Sequence, residues 1–241
     1  MELKICHLYP DLLNLYGDRG NVICMKKRLE WRGIDCHVEK LPIGTSESLA
    51  GFDLVFLGSG QDFDRQVLLD DLRRGKAAEI KAAIEDGVTF LAISGGFRLL
   101  GNYHEDSKGN KTDYIGAVDL YTVDSAERIT GNCKFVCSDE AGGSTVVGFE
   151  NHSGLSYIGS GAKPLGTVLS GFGNNGRDKT EGVLYKNVFG TYSHGPVLPK
   201  NPEFCDHILL RALKRKYGKV ELQPLDDSAE LHAHREMSTK L

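Results

Sequence analysis

Residues 88 to 98, Val88-Thr89-Phe90-Leu91-Ala92-Ile93-Ser94-Gly95-Gly96-Phe97-Arg98, constrain this chain more than any other stretch. An apolar run rich in β-formers stops on a small nucleophile, two glycines follow, and an apolar helical pattern begins. That order describes a nucleophile elbow, in which a strand carries one side chain into a tight, strained turn and the next helix starts beneath it. The partial positive charge at the helix start favours an anionic nucleophile, and the freed backbone N–H groups can receive an oxyanion. The bland alternative is an ordinary strand–Gly–Gly–helix turn.

The surrounding sequence supplies a matching scaffold. Leu3–Leu8, Asp35–Lys40 and Leu54–Leu57 read as strands, and residues 21–32 place Val22, Met25 and Leu29 on one helical face before Gly33, a natural C-cap. Helical patterns over 64–74 and 76–86 precede Gly87 and the elbow strand. Repeated units of this kind predict a mostly parallel sheet with helices on both faces, a three-layer α/β fold. From about residue 113 the pattern changes to shorter, glycine-spaced strands. These are Tyr114–Val123, Lys134–Cys137, Thr145–Phe149, Gly166–Leu169, Val183–Leu184 and Val188–Tyr192, with a more antiparallel character. A helix over Glu203–Tyr217 follows, with Pro202 suited to its first turn. The expectation is a single domain over residues 1–241, with a loosely ordered tail from about 225.

Composition narrows the function classes. The 241 residues can bury a substantial core, and a net charge of −4 without a long basic run excludes a nucleic-acid footprint. Lys214-Arg215-Lys216 reads as a solvated last helical turn. No uninterrupted apolar run reaches the length of a transmembrane segment, and Met1-Glu2-Leu3-Lys4 lacks a signal-peptide core, so a soluble cytoplasmic protein is expected. The six cysteines, at 6, 24, 36, 133, 137 and 205, lack CxxC spacing and read as reduced thiols. Cys133 and Cys137 would share one strand face, where a metal pair is the minor reading. No metal site is expected. No phosphate loop is present, so any ATP chemistry belongs to another polypeptide.

Reactive groups of parallel α/β sheets gather at the carboxyl ends of strands. Three such ends stand out: Gly58-Ser59-Gly60, Ser94-Gly95-Gly96 and Thr191-Tyr192-Ser193-His194-Gly195-Pro196. Glycines at 60 and 95 let backbone N–H groups approach an oxyanion without a side chain in the way. His194 is a base candidate brought near by folding, against the commoner reading of a structural turn histidine. His152 reads first as structural, Asn174-Asn175-Gly176 as a turn, and Asp18 as an N-cap for the first helix. Trp31 is left open between core and interface.

The elbow, the upstream Gly-Ser-Gly and the downstream strand-His together resemble the class I glutamine amidotransferase family, in its cobyric-acid-synthase-like branch. Further segments carry the resemblance along the chain: Leu13-Asn14-Leu15-Tyr16-Gly17-Asp18-Arg19-Gly20-Asn21, Arg128-Ile129-Thr130-Gly131, Val147-Gly148-Phe149-Glu150-Asn151-His152, Gly171-Phe172-Gly173-Asn174-Asn175, and Leu198-Pro199-Lys200-Asn201 after the His194 segment. The resemblance implies glutamine hydrolysis, with ammonia passed to a partner. It makes position 94 the nucleophile, His194 the general base, Arg128 the residue holding the substrate glutamine, and Gly60 and Gly95 the oxyanion donors. It also implies a Mur-ligase-like partner subunit that carries ATP and metal and amidates the D-glutamate carboxylate of the lipid II stem peptide. The setting would be the inner face of the membrane.

The chain departs from the family pattern Gly-x-Cys-x-Gly-x-Gln at Ala92, Ser94 and Arg98. Pro196 stands where many members carry an acid, and no carboxylate orienting His194 can be named. A thiol ionises near pH ~8.5 and is easily activated, whereas a serine hydroxyl needs a well-oriented base. The hypothesis is that Ser94 is an introduced Cys→Ser replacement that silences the chemistry. A serine hydrolase using Ser94 and His194 directly is the alternative, and a non-catalytic binding module the third reading.

Overall fold

Short strands buried on both faces build the centre of this molecule, a computed structural model that describes residues 1–60 and 65–241. The first half runs β1 (Glu2–Leu8), α1 (Arg19–Glu30), β2 (Asp35–Leu41), β3 (Leu54–Leu57), α2 (Arg65–Asp71), α3 (Ala77–Glu85), β4 (Thr89–Ile93) and the short α4 (Gly95–Leu99). The second half adds β5 (Tyr103–Glu105), β6 (Lys111–Asp113), β7 (Leu120–Cys137), β8 (Thr145–Ile158), β9 (Gly166–Ser170), β10 (Thr180–Glu181), β11 (Val183–Tyr185) and β12 (Val188–Thr191). It closes with α5 (Pro202–Tyr217) and α6 (Ser228–Ser238).

One sheet has the order β11-β12-β4-β3-β1-β2, parallel throughout except for the antiparallel edge strand β11. Its strands are buried on both faces. Val55, Leu57, Phe90 and Ala92 pack with Leu68, Leu72, Ile80 and Ile84 of the α2–α3 layer. Leu54, Phe56, Leu91 and Ile93 face the opposite way, against Val22, Met25 and Leu29 of α1 and Ile208, Leu209 and Leu213 of α5. Each side of the sheet therefore has its own apolar layer, as the continuous apolar strands require. The second sheet has the order β10-β9-β7-β5-β6, with β8 paired to β7.

Element ends and the second half differ in places from expectation. The first helix starts at Arg19 instead of residue 21. The two middle helices are joined by a wide turn over Leu72–Lys76, where Gly75 takes φ +128°, and residue 64 lies outside the described residues. Tyr114–Val123 and Lys134–Cys137 are not separate strands: the end of the first and all of the second belong to the 18-residue β7. β8 likewise runs nine residues beyond Phe149. The polar stretch between Asp124 and Asn132 hid this continuity, because it is mostly exposed and holds an irregularity between Asp124 and Ile129.

The expected loose tail instead forms α6, and electrostatics anchor its start. Arg28, whose side chain is 1% exposed, takes both oxygens of Asp206 on α5 (2.7 and 2.8 Å) and both of Asp227 ahead of α6 (2.5 and 2.9 Å). His234 of α6 donates from Nδ1 to the carbonyl of Lys200 at 3.0 Å. Removing one member of such a buried network strands the others. Arg28→Ala is expected to lower the unfolding free energy by about 3 kcal/mol, measured in urea, and to speed amide exchange over residues 228–238. Unchanged exchange there would show that α6 is held by something else.

Candidate active site

The candidate site forms where β3, β4 and β12 end together. Parallel register sets Leu57 beside Ala92 and Ile93 beside Thr191, so the residues after each strand emerge at one level. Ser94 follows β4 with φ +45° and ψ −99°, a backbone conformation that L-residues rarely adopt. Neighbours over-determine it. The Ser94 N–H donates to Thr191 O at 2.8 Å, the Gly96 N–H to Gly58 O at 3.0 Å, and the Arg98 N–H back to Ser94 O at 2.9 Å. Strain of this kind costs about 1–3 kcal/mol and persists only in such a frame.

The end of β3 is pressed against the elbow. A Cβ on Gly95 would stand 3.0 Å from the backbone nitrogen of Gly60, and one on Gly60 would stand 2.6 Å from a Leu13 methyl. Both positions therefore need glycine. From the end of β12, Tyr192 donates its hydroxyl to Gly154 O at 3.0 Å and stacks on His152 at 3.7 Å between ring centroids. Glu181, fully buried, accepts from Thr191 Oγ1 at 2.5 Å and from the Tyr192 N–H at 2.9 Å. Burial pushes its carboxyl up to about 7.

The second sheet supplies the other wall. β7 brings Arg128 and β8 brings Asn151 and His152. Asn151 Oδ1 accepts from Arg128 Nε, and its Nδ2 donates to Tyr16 OH at 2.7 Å. A cavity of about 310 Å³ lies between, lined by Tyr16, Gly60, Ser94, Arg98, Arg128, Asn151 and His152 among others. Three expected site residues, Gly60, Ser94 and Arg128, share this cavity, and Gly95 packs behind Gly60. His194 does not line it. Its ring lies behind the wall, edge-on to Tyr16 at 4.9 Å, and its backbone N–H donates to Phe149 O at 2.7 Å.

Neither His194 ring nitrogen has a hydrogen-bond partner among the described residues. Ser94 and His194 are thus neighbours through β4 and β12, not a bonded pair. Burial, then the charges of His152, Arg128 and Arg98, push His194 down to about 3. Burial likewise takes His152 to about 4; its Nδ1 donates to Gly154 O at 2.8 Å, which leaves the Nε2 lone pair unused.

Tyr16 and Asn151 are wall residues to which the sequence assigns no role in the site; His152 reads first as structural, with a hydrogen bond near the site as the lesser reading, and Arg98 as a departure that either alters glutamine binding or reaches solvent. Each sits inside or beside a segment that carried the resemblance, which was the available signal. Asp18 is no N-cap: its side chain makes no capping bond and accepts instead from the Ser59 N–H at 2.5 Å.

A family model for the CobB/CobQ-like glutamine amidotransferase domain matches residues 4–202, most of the chain and all of the site. The chain belongs to this family. A relative, the GatD subunit of lipid II isoglutaminyl synthase (glutamine-hydrolyzing) from Staphylococcus aureus, is 40% identical over 96% of this chain and 93% of its own length. The subunit of the same name from Streptococcus pneumoniae is 38% identical over 94% of this chain and 86% of its own. Among solved structures, a chain of PurLQS from Thermotoga maritima superposes with a TM-score of 0.58 at 20% identity, covering 89% of this chain and 99% of that one. That likeness bears on the fold alone.

The buried imidazoles give this amidotransferase domain an acid sensitivity of definite sign. Below pH ~6.5 the unfolded chain protonates histidines that His7, His152 and His194 resist until about 4, 4 and 3. Their contribution to stability is therefore complete above pH ~6.5 and is lost as pH falls toward those values. Histidine 15N NMR at pH 5 is expected to show all three rings neutral. A His194 midpoint near 6.5 would contradict its burial.

Proposed function

We propose that this chain is the glutaminase subunit of a two-subunit lipid II isoglutaminyl synthase, and that its elbow residue now silences the first chemical step. The observation that carries the reading is the shared cavity, in which the strained position 94 faces the Arg128 guanidinium. Relatives of nearly the same length named as GatD subunits point the same way.

In this reading the glutamine carboxylate pairs with Arg128 and the side-chain amide reaches position 94. The carbonyl oxygen turns to the N–H groups of Gly60 and Gly95. A thiol at position 94, far more acidic than a serine hydroxyl, gives its proton to solvent and attacks the carbonyl carbon as a thiolate. The C–N bond breaks, and the departing nitrogen takes a proton from water to leave as ammonia. Water then cleaves the acyl-enzyme to glutamate. A serine changes the balance, because its hydroxyl must lose a proton as it attacks. An imidazole held down to about 3 takes that proton poorly. Ser94 in place of cysteine thus leaves a site that holds glutamine without turning it over.

The ammonia goes to a Mur-ligase-like partner, MurT, which uses ATP and metal to activate the D-glutamate α-carboxyl of the lipid II stem peptide. This chain holds no cofactor in that division of labour. Among the described residues no helix is long and apolar enough to cross a membrane. In this reading the pair of subunits meets the inner membrane face through lipid II on the partner.

Ser94→Cys, assayed with the partner, is expected to release glutamate from glutamine and to support amidation of lipid II. In that background Arg128→Ala should raise KM for glutamine about 10- to 100-fold, the value of a charge-assisted bond to a carboxylate. No glutamate from Ser94→Cys would end the glutaminase reading. A fluorophosphonate adduct on Ser94 in the unmodified chain would favour the serine hydrolase instead.

A further inference from the structure

The turn between β1 and α1 bears on both sides of the cavity, and its carboxylate lies in an unusual place. Asp18 is fully buried. The Arg19 N–H at the start of α1 is accepted at 2.9 Å by Asn14 Oδ1 instead. Asp18 turns away from its helix, and its Oδ2 takes the Ser59 N–H at 2.5 Å. Its Oδ1 has no partner among the described residues. A carboxylate buried with one oxygen unpaired is a poor device for stability, since desolvation is not offset. Burial accordingly pushes Asp18 up to about 7, against the lowering effect of the Ser59 bond.

What the carboxylate does achieve is orientation. The same turn donates the Leu15 N–H to Ser59 O at 2.8 Å. Ser59 is therefore held on both its backbone groups, and both peptide planes that flank it are fixed. The second plane joins Ser59 O to the Gly60 N–H. Because a trans peptide is planar with C=O and N–H opposed, anchoring that oxygen on the turn aims the Gly60 N–H the other way. Contact is close enough to hold the geometry: a Cβ on Gly58 would stand 2.1 Å from Leu13 O and 3.3 Å from Asp18 Cβ. The turn reaches across the cavity as well, where Tyr16, at φ +57°, meets Asn151 and the His194 ring.

We propose that Asp18 is a positioning residue for the reaction: it fixes the Gly58–Ser59 peptide plane and, together with the Leu15 N–H that holds Ser59 O, sets Ser59 so that the Gly60 N–H faces the reacting carbonyl. This rests on the glutaminase reading for its chemistry, but not for its geometry. Two measurements separate the two. In the unmodified chain, Asp18→Ala is expected to speed amide exchange at Ser59 while β1 and β4 stay protected. Asp18→Asn, whose amide oxygen can still accept the Ser59 N–H, should restore protection. In the Ser94→Cys background with the partner, Asp18→Ala should lower kcat about 100-fold, as when an oxyanion donor is lost, with KM for glutamine unchanged. Asp18→Asn should recover most of that loss, which a general destabilisation would not allow.

Should Asp18→Ala fail to fold, Asp18→Ser, whose hydroxyl is too short to reach Ser59, takes its place in both arms. Unchanged exchange at Ser59, an unchanged kcat, or a rise in KM as large as the fall in kcat would each overturn the proposal. If Ser94→Cys alone hydrolyses no glutamine, the glutaminase reading fails, and exchange at Ser59 decides the clamp by itself.

Discussion

Two backbone hydrogen bonds stitch the candidate site together: the Ser94 N–H to Thr191 O and the Gly96 N–H to Gly58 O. They tie the elbow to the ends of the strands on either side, and they hold a serine backbone that would relax if released. The parallel register makes both possible, since it brings three strand ends to one level. Everything that lines the cavity from the first sheet is placed by that stitching. The apolar layers on both faces of the sheet are what keep it rigid enough to hold the strain.

Around this frame the charged groups follow one rule of a dry interior, which is that ionic forms are disfavoured unless something specific holds them. His7, His152 and His194 are all kept neutral by burial. Asp18 and Glu181 are both pushed up to about 7, and each accepts a backbone N–H beside a site-bearing strand end. Arg28 is the contrast: two carboxylates surround it and its charge is retained. Buried polarity near the cavity orients backbone, whereas buried polarity at Arg28 joins helices.

Much of the fold was legible in the sequence. Leu54–Leu57 and, after Thr89, Phe90–Ile93 are apolar without interruption, and only a doubly covered sheet accommodates them. The elbow was legible because its signal is local, a strand ending on Ser-Gly-Gly. The long β7–β8 pair was only partly so. Its middle is polar and mostly exposed on β7, and pairing across the sheet, not side-chain alternation, keeps it extended. The final helix was missed for a similar reason: its residues are mostly exposed, and an ion network with Arg28, 199 positions before Asp227, anchors its start.

In the candidate site, the sequence alone determined which residue types stand at the strand ends, because strand period and glycine turns act over a few neighbouring residues. It placed Ser94, Gly60 and Gly95 correctly at those ends. Only the tertiary structure decided where the polar side chains of distant segments go. Asp18 left its helix for Ser59, Asn151 bridged Arg128 to Tyr16, and His152 reached the wall while His194 stayed behind it. The reason is physical: a buried donor takes whichever acceptor folding leaves dry beside it, and nothing within a few residues of Asp18 records that the Ser59 N–H would need it.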